Sequence, residues 1–331
     1  MELHGFKNQV GGHFGLLQCG GHVAKPLNSR EMAFYEIMSD DLRQFTPEYC
    51  GRVRVIATLS EERDLHLVTD RQMGCHKDIT IRRTDSDRIR FRVGKTGRVE
   101  INKECQYWAA TCQSKAIQKL LEGQYSSFIV LENVVFNYQK PCILDLKLGT
   151  RQHSDDATEE KRDRQLKKCQ ESTSAALGVR MVGMKLYESR TKTYSFVDKQ
   201  EGRRMTKDEF RGHLQRFARC CGKLRTARLR KRLNEIKETV LQSDGYRFFS
   251  SSLLISFDSA QLDSTNERSI GVYMIDFANS TFGGFPQDKK YEGVDEGYIL
   301  GLNSLLAALE TVPTTPEQPL VVNELLEVMS T

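Results

Sequence analysis

The 331-residue sequence predicts an α+β fold of two unequal lobes. Three observations predict it. Turn residues cut the first third into short extended segments with one early helix, residues 132–136 read as a short connector, and strands alternate with amphipathic helices beyond it. We expect a strand-rich first lobe over 1–131, a hinge at 132–136 and a mixed second lobe over 137–331.

The first lobe begins with extended segments at 10–17 and 22–27. Ser29 is placed to cap a helix reaching about residue 38. Segments 51–58, 64–69, 78–83, 88–93 and 98–101 have the length and punctuation of strands. A helix without internal Pro or Gly is expected over 103–121, followed by a short buried strand at 128–131.

The second lobe begins with a strand at 141–149. A helix over 155–177 follows, stopped by Gly178, and strands return at 179–187 and 194–197. Thr206-Lys207-Asp208-Glu209 is a capping box, in which the Thr and Glu side chains satisfy each other's free backbone donors. Its helix carries Phe210, Leu214, Phe217 and Cys221 on one stripe. The helix after Gly222 repeats that spacing with Leu229, Leu233, Ile236 and Val240. Both are expected to bury one side and turn their arginines outward. Strands at 250–258 and 270–277 are joined by a polar loop, and helices near 296–310 and 318–329 close the chain.

Hydrophobic residues make up 39% of the chain and charged residues 28%, as in soluble globular enzymes. No apolar run reaches the roughly 18 residues of a bilayer span, so no transmembrane segment is expected. The opening MELHGFKNQV lacks the apolar core of a secretory signal. Nine irregularly spaced cysteines, none in a Cys-x-x-Cys pair, read as reduced thiols rather than zinc ligands or disulfides. A cytoplasmic or nuclear location is the expectation. The net charge is +5 and unevenly spread: residues 203–232 hold twelve Lys/Arg against Asp208 and Glu209. Such a run suggests an anionic partner, whether nucleic acid, acidic lipid or a polyphosphate. Without interleaved aromatics or a known motif, nucleic acid is not expected as an obligatory partner.

Four constellations could carry chemistry. In the strand at 141–149, alternation puts Leu144, Leu146 and Leu148 on one face and Asp145 and Lys147 on the other. A surface ion pair on an edge strand would look the same, but phosphoryl transfer gives the pair work. The lysine can neutralise the travelling phosphoryl group while the aspartate orients or deprotonates the acceptor. Asp276 ends an apolar strand, where it either caps the following turn or holds a cation. If that strand pairs with its predecessor about residue 264, Ser252 faces Asp276, and a hydroxyl beside a carboxylate suits Mg²⁺. Lys25 in a short strand and Glu31 in the next helix fit a phosphate-binding lysine steadied by a glutamate, although exposed Lys/Glu pairs are common. Lys161, Arg164 and Lys168 recur along one side of the helix after Gly149, with Leu166, Cys169 and Thr173 turned toward a core. That basic ridge is either a solvated face or a grip for an anionic substrate. There is no Gly-x-x-x-x-Gly-Lys-Ser/Thr loop, no glycine loop of the protein kinases and no His-Arg-Asp motif, which disfavours a P-loop enzyme or a typical protein kinase.

These residues resemble the inositol polyphosphate kinases. The hallmark Pro-x-x-x-Asp-x-Lys-x-Gly appears as Pro141, Asp145, Lys147 and Gly149. The resemblance spans nearly the whole chain, through Lys25-Pro26-Leu27, Ser29-Arg30-Glu31, Leu131-Glu132-Asn133-Val134, Ser250-Ser251-Ser252-Leu253-Leu254 and Ile275-Asp276-Phe277-Ala278. Gln9-Val10-Gly11-Gly12-His13, Thr46-Pro47-Glu48-Tyr49 and Gly149-Thr150-Arg151-Gln152-His153 look most like the animal inositol hexakisphosphate kinases within it.

The resemblance implies a two-lobed fold related to protein kinases, with ATP in the inter-lobe cleft. Glu132 and Val134 would offer backbone groups to adenine, Lys25 and Glu31 would serve the ATP phosphates, and Asp276 would hold Mg²⁺ with Ser252 nearby. Asp145 would orient the ribose or the acceptor, and Lys147 would touch both the γ-phosphate and the acceptor. Lys161, Arg164, Lys168 and Lys185 would grip the phosphates of an inositol polyphosphate substrate. Asn279 stands where relatives commonly carry His. The implied reaction is ATP-dependent phosphorylation of inositol hexakisphosphate to a diphosphoinositol product. Phosphorylation of free hydroxyls on less phosphorylated inositols, and non-catalytic inositol phosphate sensing, are the alternatives.

Overall fold

The computed structural model describes residues 1–12, 15–72, 88–101 and 107–310. The strand expected at 78–83, the start of the helix expected at 103 and the helix expected at 318–329 lie outside the described residues.

An eight-stranded antiparallel sheet forms in the first part of the chain. Its strands are β1 (Glu2–Gly5), β2 (Leu17–Cys19), β3 (His22–Pro26), β4 (Tyr49–Leu59), β5 (Asp64–Thr69), β6 (Phe91–Val93), β7 (Val99–Ile101) and β8 (Ser127–Glu132), in the order β1-β2-β3-β8-β4-β5-β6-β7. β1 also pairs with β5, through Glu2↔Val68 and Leu3↔Leu67, so the sheet curls back on itself and hides an edge. Alternation sets its two faces: Val53, Val55, Leu65 and Leu67 turn inward, while Arg52, Arg54 and His66 face out. The inward side chains pack with Ile117 and Leu120 of α3 (Tyr107–Leu121).

The second sheet has β9 (Pro141–Leu148), β10 (Val179–Glu188), β11 (Thr193–Val197), β12 (Ser252–Asp258) and β13 (Gly271–Ile275), in the order β11-β10-β9-β12-β13. β9 is its central strand and is buried along its whole length, so Asp145 and Lys147 do not sit on an edge. Leu144, Leu146 and Leu148 join the main core with Met181, Leu253 and Ile255. Above that face lie α7 (Lys207–Cys221), α8 (Lys223–Gln242) and α9 (Glu296–Glu310). The capping box at Thr206 and Glu209 is formed, and both predicted stripes are buried. Each such fully buried large apolar side chain contributes about 1.5–3 kcal/mol.

Several expectations are corrected. Asn28, not Ser29, caps α1 (Ser29–Ile37), because the Asn28 side chain accepts from the Glu31 backbone N–H at 3.0 Å. Of the extended segment expected over 10–17, only Leu17 lies in a strand, as the first residue of β2, and residues 13 and 14 lie outside the described residues. The helix expected over 155–177 is two helices, α4 (Glu159–Gln170), capped by Thr158, and α5 (Ser174–Leu177). The break follows from Thr173, whose hydroxyl donates to the Val179 carbonyl at 2.7 Å. Gly178 then stops α5 at φ 62°, where its missing side chain also lets the turn approach Gly301. Leu166 is exposed rather than core-facing, while Cys169 and Thr173 are buried. β1, α2 (Asp40–Arg43) and α6 (Lys199–Arg204) were not expected, being short and weakly patterned.

Not every arginine of the basic run points outward. Arg225 is buried, and its Nη2 donates to the carbonyls of Gln261 and Leu262, each at 2.9 Å. Arg216, Arg228, Arg230 and Arg232 pair with Glu188, Glu267, Glu310 and Glu235. Much of the run is therefore answered within the fold.

Candidate active site

A cleft of about 360 Å³ lies where the polar face of the second sheet meets the first. Its inner wall is apolar: Phe6, Val10, Val23, Val135 and Ile143 form a small core, with Leu16, Val134 and Leu254 against it. The chain leaves β8 at Glu132 along this wall. The Glu132 N–H donates to the Glu48 carbonyl at 2.9 Å, so that N–H is already engaged within the fold. Asn133 closes the turn by accepting from the Val135 N–H at 3.2 Å.

Three charged side chains meet on one flank. Lys25 Nζ lies 2.8 Å from Glu31 Oε1 and 2.6 Å from Asp276 Oδ1. Burial by itself would lower the lysine, but the two carboxylates overcome it and hold the ammonium above its usual range. Burial pushes Glu31 up while Lys25 pulls it back. Glu31 Oε1 also accepts from the Phe277 N–H at 3.3 Å, tying α1 to the residue after Asp276.

Asp276 has φ 68°, a left-handed conformation that is costly for a residue with a side chain. Ser250, just before β12, has φ 62°. Both lie where the β12–β13 hairpin opens into the cleft. Lys147 Nζ donates to the Ser250 carbonyl at 2.5 Å and to its hydroxyl at 3.2 Å. Burial lowers the Lys147 pKa, against the pull of Asp276 and Asp145.

Asp145 is 3% exposed, and its pKa is pushed up to about 6, first by burial and then by the negative charge of Asp276. Its Oδ1 has no hydrogen-bond partner among the described residues. The segment from Asn8 to Gly12 is laid over it as a strap. A Cβ at Gly11 would fall 2.0 Å from Asp145 Oδ2. Gly183, opposite Asp145 on β10, faces the same segment, and a Cβ there would fall 1.8 Å from the Val10 carbonyl. Both positions need glycine because backbone and carboxylate occupy the space.

The register around Asp276 differs from the expectation by one residue. Ser252 pairs with Ile275 on one side and Lys147 on the other, and the Ser252 side chain is buried. Ser250 rather than Ser252 lines the cleft. Of the basic residues, Lys161 lines the cleft, with Nζ 3.4 Å from Asn279 Oδ1, and Gln165 lines it one turn on. Arg164 is exposed, and its Nε donates to the Glu160 carbonyl at 3.3 Å. Lys168 is half-buried, its pKa lowered by burial and by Arg203, Arg180 and Arg164. Lys185 Nζ donates to Asn8 Oδ1 at 3.0 Å, and burial together with Lys7 pushes its pKa down to about 8. Arg164, Lys168 and Lys185 stand outside the lining of this cleft.

Sequence reasoning missed the strap, Ser250 and Gln165. Gly183 inside an apolar strand was the available signal for the strap, since such a glycine marks close backbone approach. Nothing local distinguishes Ser250 from Ser251 and Ser252.

The donor set fits a hard cation. No cluster of three or more His, Cys, Asp or Glu exists among the described residues, so no all-protein cage is available. The orphaned Asp145 Oδ1 and the mutual repulsion of Asp145 and Asp276 favour a positive ion between ligand phosphates and this wall. Mg²⁺ binds in that manner, through one or two carboxylates plus phosphate and water oxygens.

Residues 128–310 match the inositol polyphosphate kinase family. Inositol hexakisphosphate kinase 3 of Mus musculus is 32% identical over 377 aligned residues, covering 94% of this chain and 95% of the relative. Inositol hexakisphosphate kinase 2 of Homo sapiens is 32% identical, covering 92% of this chain and 93% of the relative. Among solved structures, inositol phosphate multikinase Ipk2 of S. cerevisiae, in complex with ADP and Mn²⁺, shares the fold with a TM-score of 0.56 at 21% identity. That likeness covers 88% of this chain and 98% of the other.

Proposed function

Because this chain belongs to the inositol polyphosphate kinase family, we propose that it transfers the γ-phosphoryl group of ATP to inositol hexakisphosphate, making a diphosphoinositol product. The observation that carries the reading is the convergence of Lys25, Glu31 and Asp276 with Asp145 and Lys147 on one cleft that has an apolar inner wall. The wall suits a purine. Lys25 meets the nucleotide phosphates and is kept charged by its two carboxylates. Asp276 would hold Mg²⁺, with Asp145 close enough to feel its charge. The ion would supply positive charge that offsets the phosphates of nucleotide and acceptor.

The acceptor in this reaction is a phosphate oxygen, already ionised at neutral pH. No general base is needed, so Asp145 serves to orient, and the raised pKa of its buried carboxyl does not impede the chemistry. The main barrier is bringing two polyanions together, and Lys147 and Lys161 line the cleft where that charge must be met. The kinases named above support the hexakisphosphate as acceptor.

Phosphorus NMR of the products formed from Mg-ATP and inositol hexakisphosphate tests the reading. A new pair of coupled diphosphate signals, absent with Asp276→Asn, is expected. Consumption only of inositol phosphates bearing free hydroxyls would move the acceptor to a hydroxyl. Inertness toward both would overturn the kinase reading.

A further inference from the structure

Two carboxylates meet Arg30, the residue before Glu31 on α1. Its Nη2 lies 3.3 Å from Asp156 Oδ2, and its Nη1 donates to Asp288 Oδ2. The guanidinium also lies over the Phe285 ring, 4.4 Å from the centroid. The Asp288 side chain is buried, and Arg30 is its ion-pair partner among the described residues. The transfer chemistry above uses neither the arginine nor either carboxylate.

The three residues belong to different walls of the site. Arg30 shares α1 with Glu31, which accepts from Lys25 Nζ and from the Phe277 N–H. Asp288 lies in the loop that follows Asp276. Asp156 stands two residues before Thr158, whose hydroxyl caps α4 by accepting from the Lys161 N–H at 3.3 Å. Lys161 in turn lines the cleft. Phe282 rests against Phe34, so the loop is also kept on α1 by an apolar contact. Asp155 accepts from the Tyr291 hydroxyl at 2.7 Å and from the Lys289 N–H at 3.1 Å, which binds the turn before α4 to the same loop. Asp288 therefore seats the arginine, and Asp156 is what the seated arginine reaches out to hold.

We propose that Arg30 is a positioning residue for the acceptor. Through Asp156 it sets where α4, and Lys161 on it, stands relative to the nucleotide side of the cleft at Lys25, Glu31 and Asp276. This rests on the kinase reading given above. Arg30 does not line the cleft, so it acts through α4 and not on the reacting atoms. The planar guanidinium fork holds two carboxylates in one geometry, which a lysine, a single charge on a flexible stem, does not. Placement matters at this scale, because a shift of about 1 Å at a reacting centre can cost about 10²-fold in rate.

The test is steady-state kinetics with Mg-ATP and inositol hexakisphosphate for wild type, Asp156→Asn, Arg30→Lys and the double variant. Each substrate is varied in turn, and the Tm of each protein is measured alongside. Asp156→Asn breaks the link without stranding a buried charge, since the Asp156 side chain is 40% exposed, so its Tm should hold. Its kcat/KM for the hexakisphosphate should fall about tenfold or more, through a higher KM and a lower kcat, while KM for ATP is kept. In Arg30→Lys the ammonium stays with Asp288, because leaving that buried carboxylate unpaired is the costlier choice. The same kinetic change is expected there, and no further loss in the double variant. Wild-type kinetics in Asp156→Asn overturns the proposal, and so does a double variant whose losses multiply. A Tm that falls in Asp156→Asn, or a KM for ATP that rises as far as that for the hexakisphosphate, makes the pair a general support and also overturns it. A wild type that transfers nothing to the hexakisphosphate removes the kinase reading instead.

Discussion

Phe34 of α1 stacks on Phe277, with ring centroids 4.5 Å apart and planes 13° from parallel. Phe34 also meets Tyr246, Phe248 and Phe282 edge-on. The helix that presents Glu31 lies between β3 and β4 in the chain, yet its aromatic side is built into the core of the second sheet. Glu31 and Asp276 are thereby held in fixed relation, and Lys25 reaches them from the first sheet.

Phe34→Ala should destabilise the protein by about 3–5 kcal/mol, the usual cost of emptying a buried phenyl site. Denaturant unfolding measures it. Phe34→Leu, which fills most of the space, should recover much of the loss. Equal losses in the two would show that ring stacking rather than volume holds α1.

Glu31→Gln leaves Lys25 with Asp276 as its ion-pair partner among the described residues. The lysine is then drawn from the phosphates toward Asp276, and kcat should fall by about 10²-fold, as for loss of one preorganised electrostatic contact. Steady-state kinetics at saturating ATP distinguish this from a simple rise in KM.

Asp145 carries a pH signature. Its folded-state pKa of about 6 stands above the ordinary 3.8, so between those values the folded protein keeps a proton that the unfolded chain has released. Its contribution to stability is therefore greatest at low pH and declines as pH rises through that window. Asp145→Asn should remove the decline and raise ligand-free stability at pH 7 by roughly 1–3 kcal/mol, while reducing turnover. Thermal melts at pH 5 and pH 7 supply the check. A melt of Asp145→Asn that tracks wild type at both values would disprove the assignment.

Gly183→Ala places a methyl against the Val10 carbonyl and should lift the strap. We expect kcat to fall at least about tenfold, as small misplacements at a reacting centre do, with only a modest drop in Tm. Gly11→Ala should act alike through Asp145. Wild-type kinetics in both variants would show that the strap is no part of the working site.

Much of this was legible in the sequence because local rules governed it. Alternation placed Asp145 and Lys147 opposite Leu144, Leu146 and Leu148, and helical spacing identified the buried stripes of α7 and α8. The Lys25–Glu31 pair rested on chemical precedent, and the fold does bring the two within 2.8 Å. What escaped depends on contacts far apart in sequence. The β12–β13 register was misjudged by one residue because a loop's length does not fix where the ladder begins. Arg225 turns inward because carbonyls from the loop after β12 await it, which no helical periodicity reveals. The strap needs Gly183 to meet the Val10 carbonyl and Gly11 to meet Asp145, contacts between residues far apart in the chain.

That strap has a kinetic consequence. It joins the first sheet to the second beside the connector at residues 133–140, since Val10 shares one small apolar core with Val135. A cleft whose strap and connector are packed into one small core does not gape by swinging on a free pivot. We expect it to open by peeling Val10 and Gly11 from Gly183 and Asp145, and nucleotide exchange to follow the tempo of that peeling rather than of a free domain rotation.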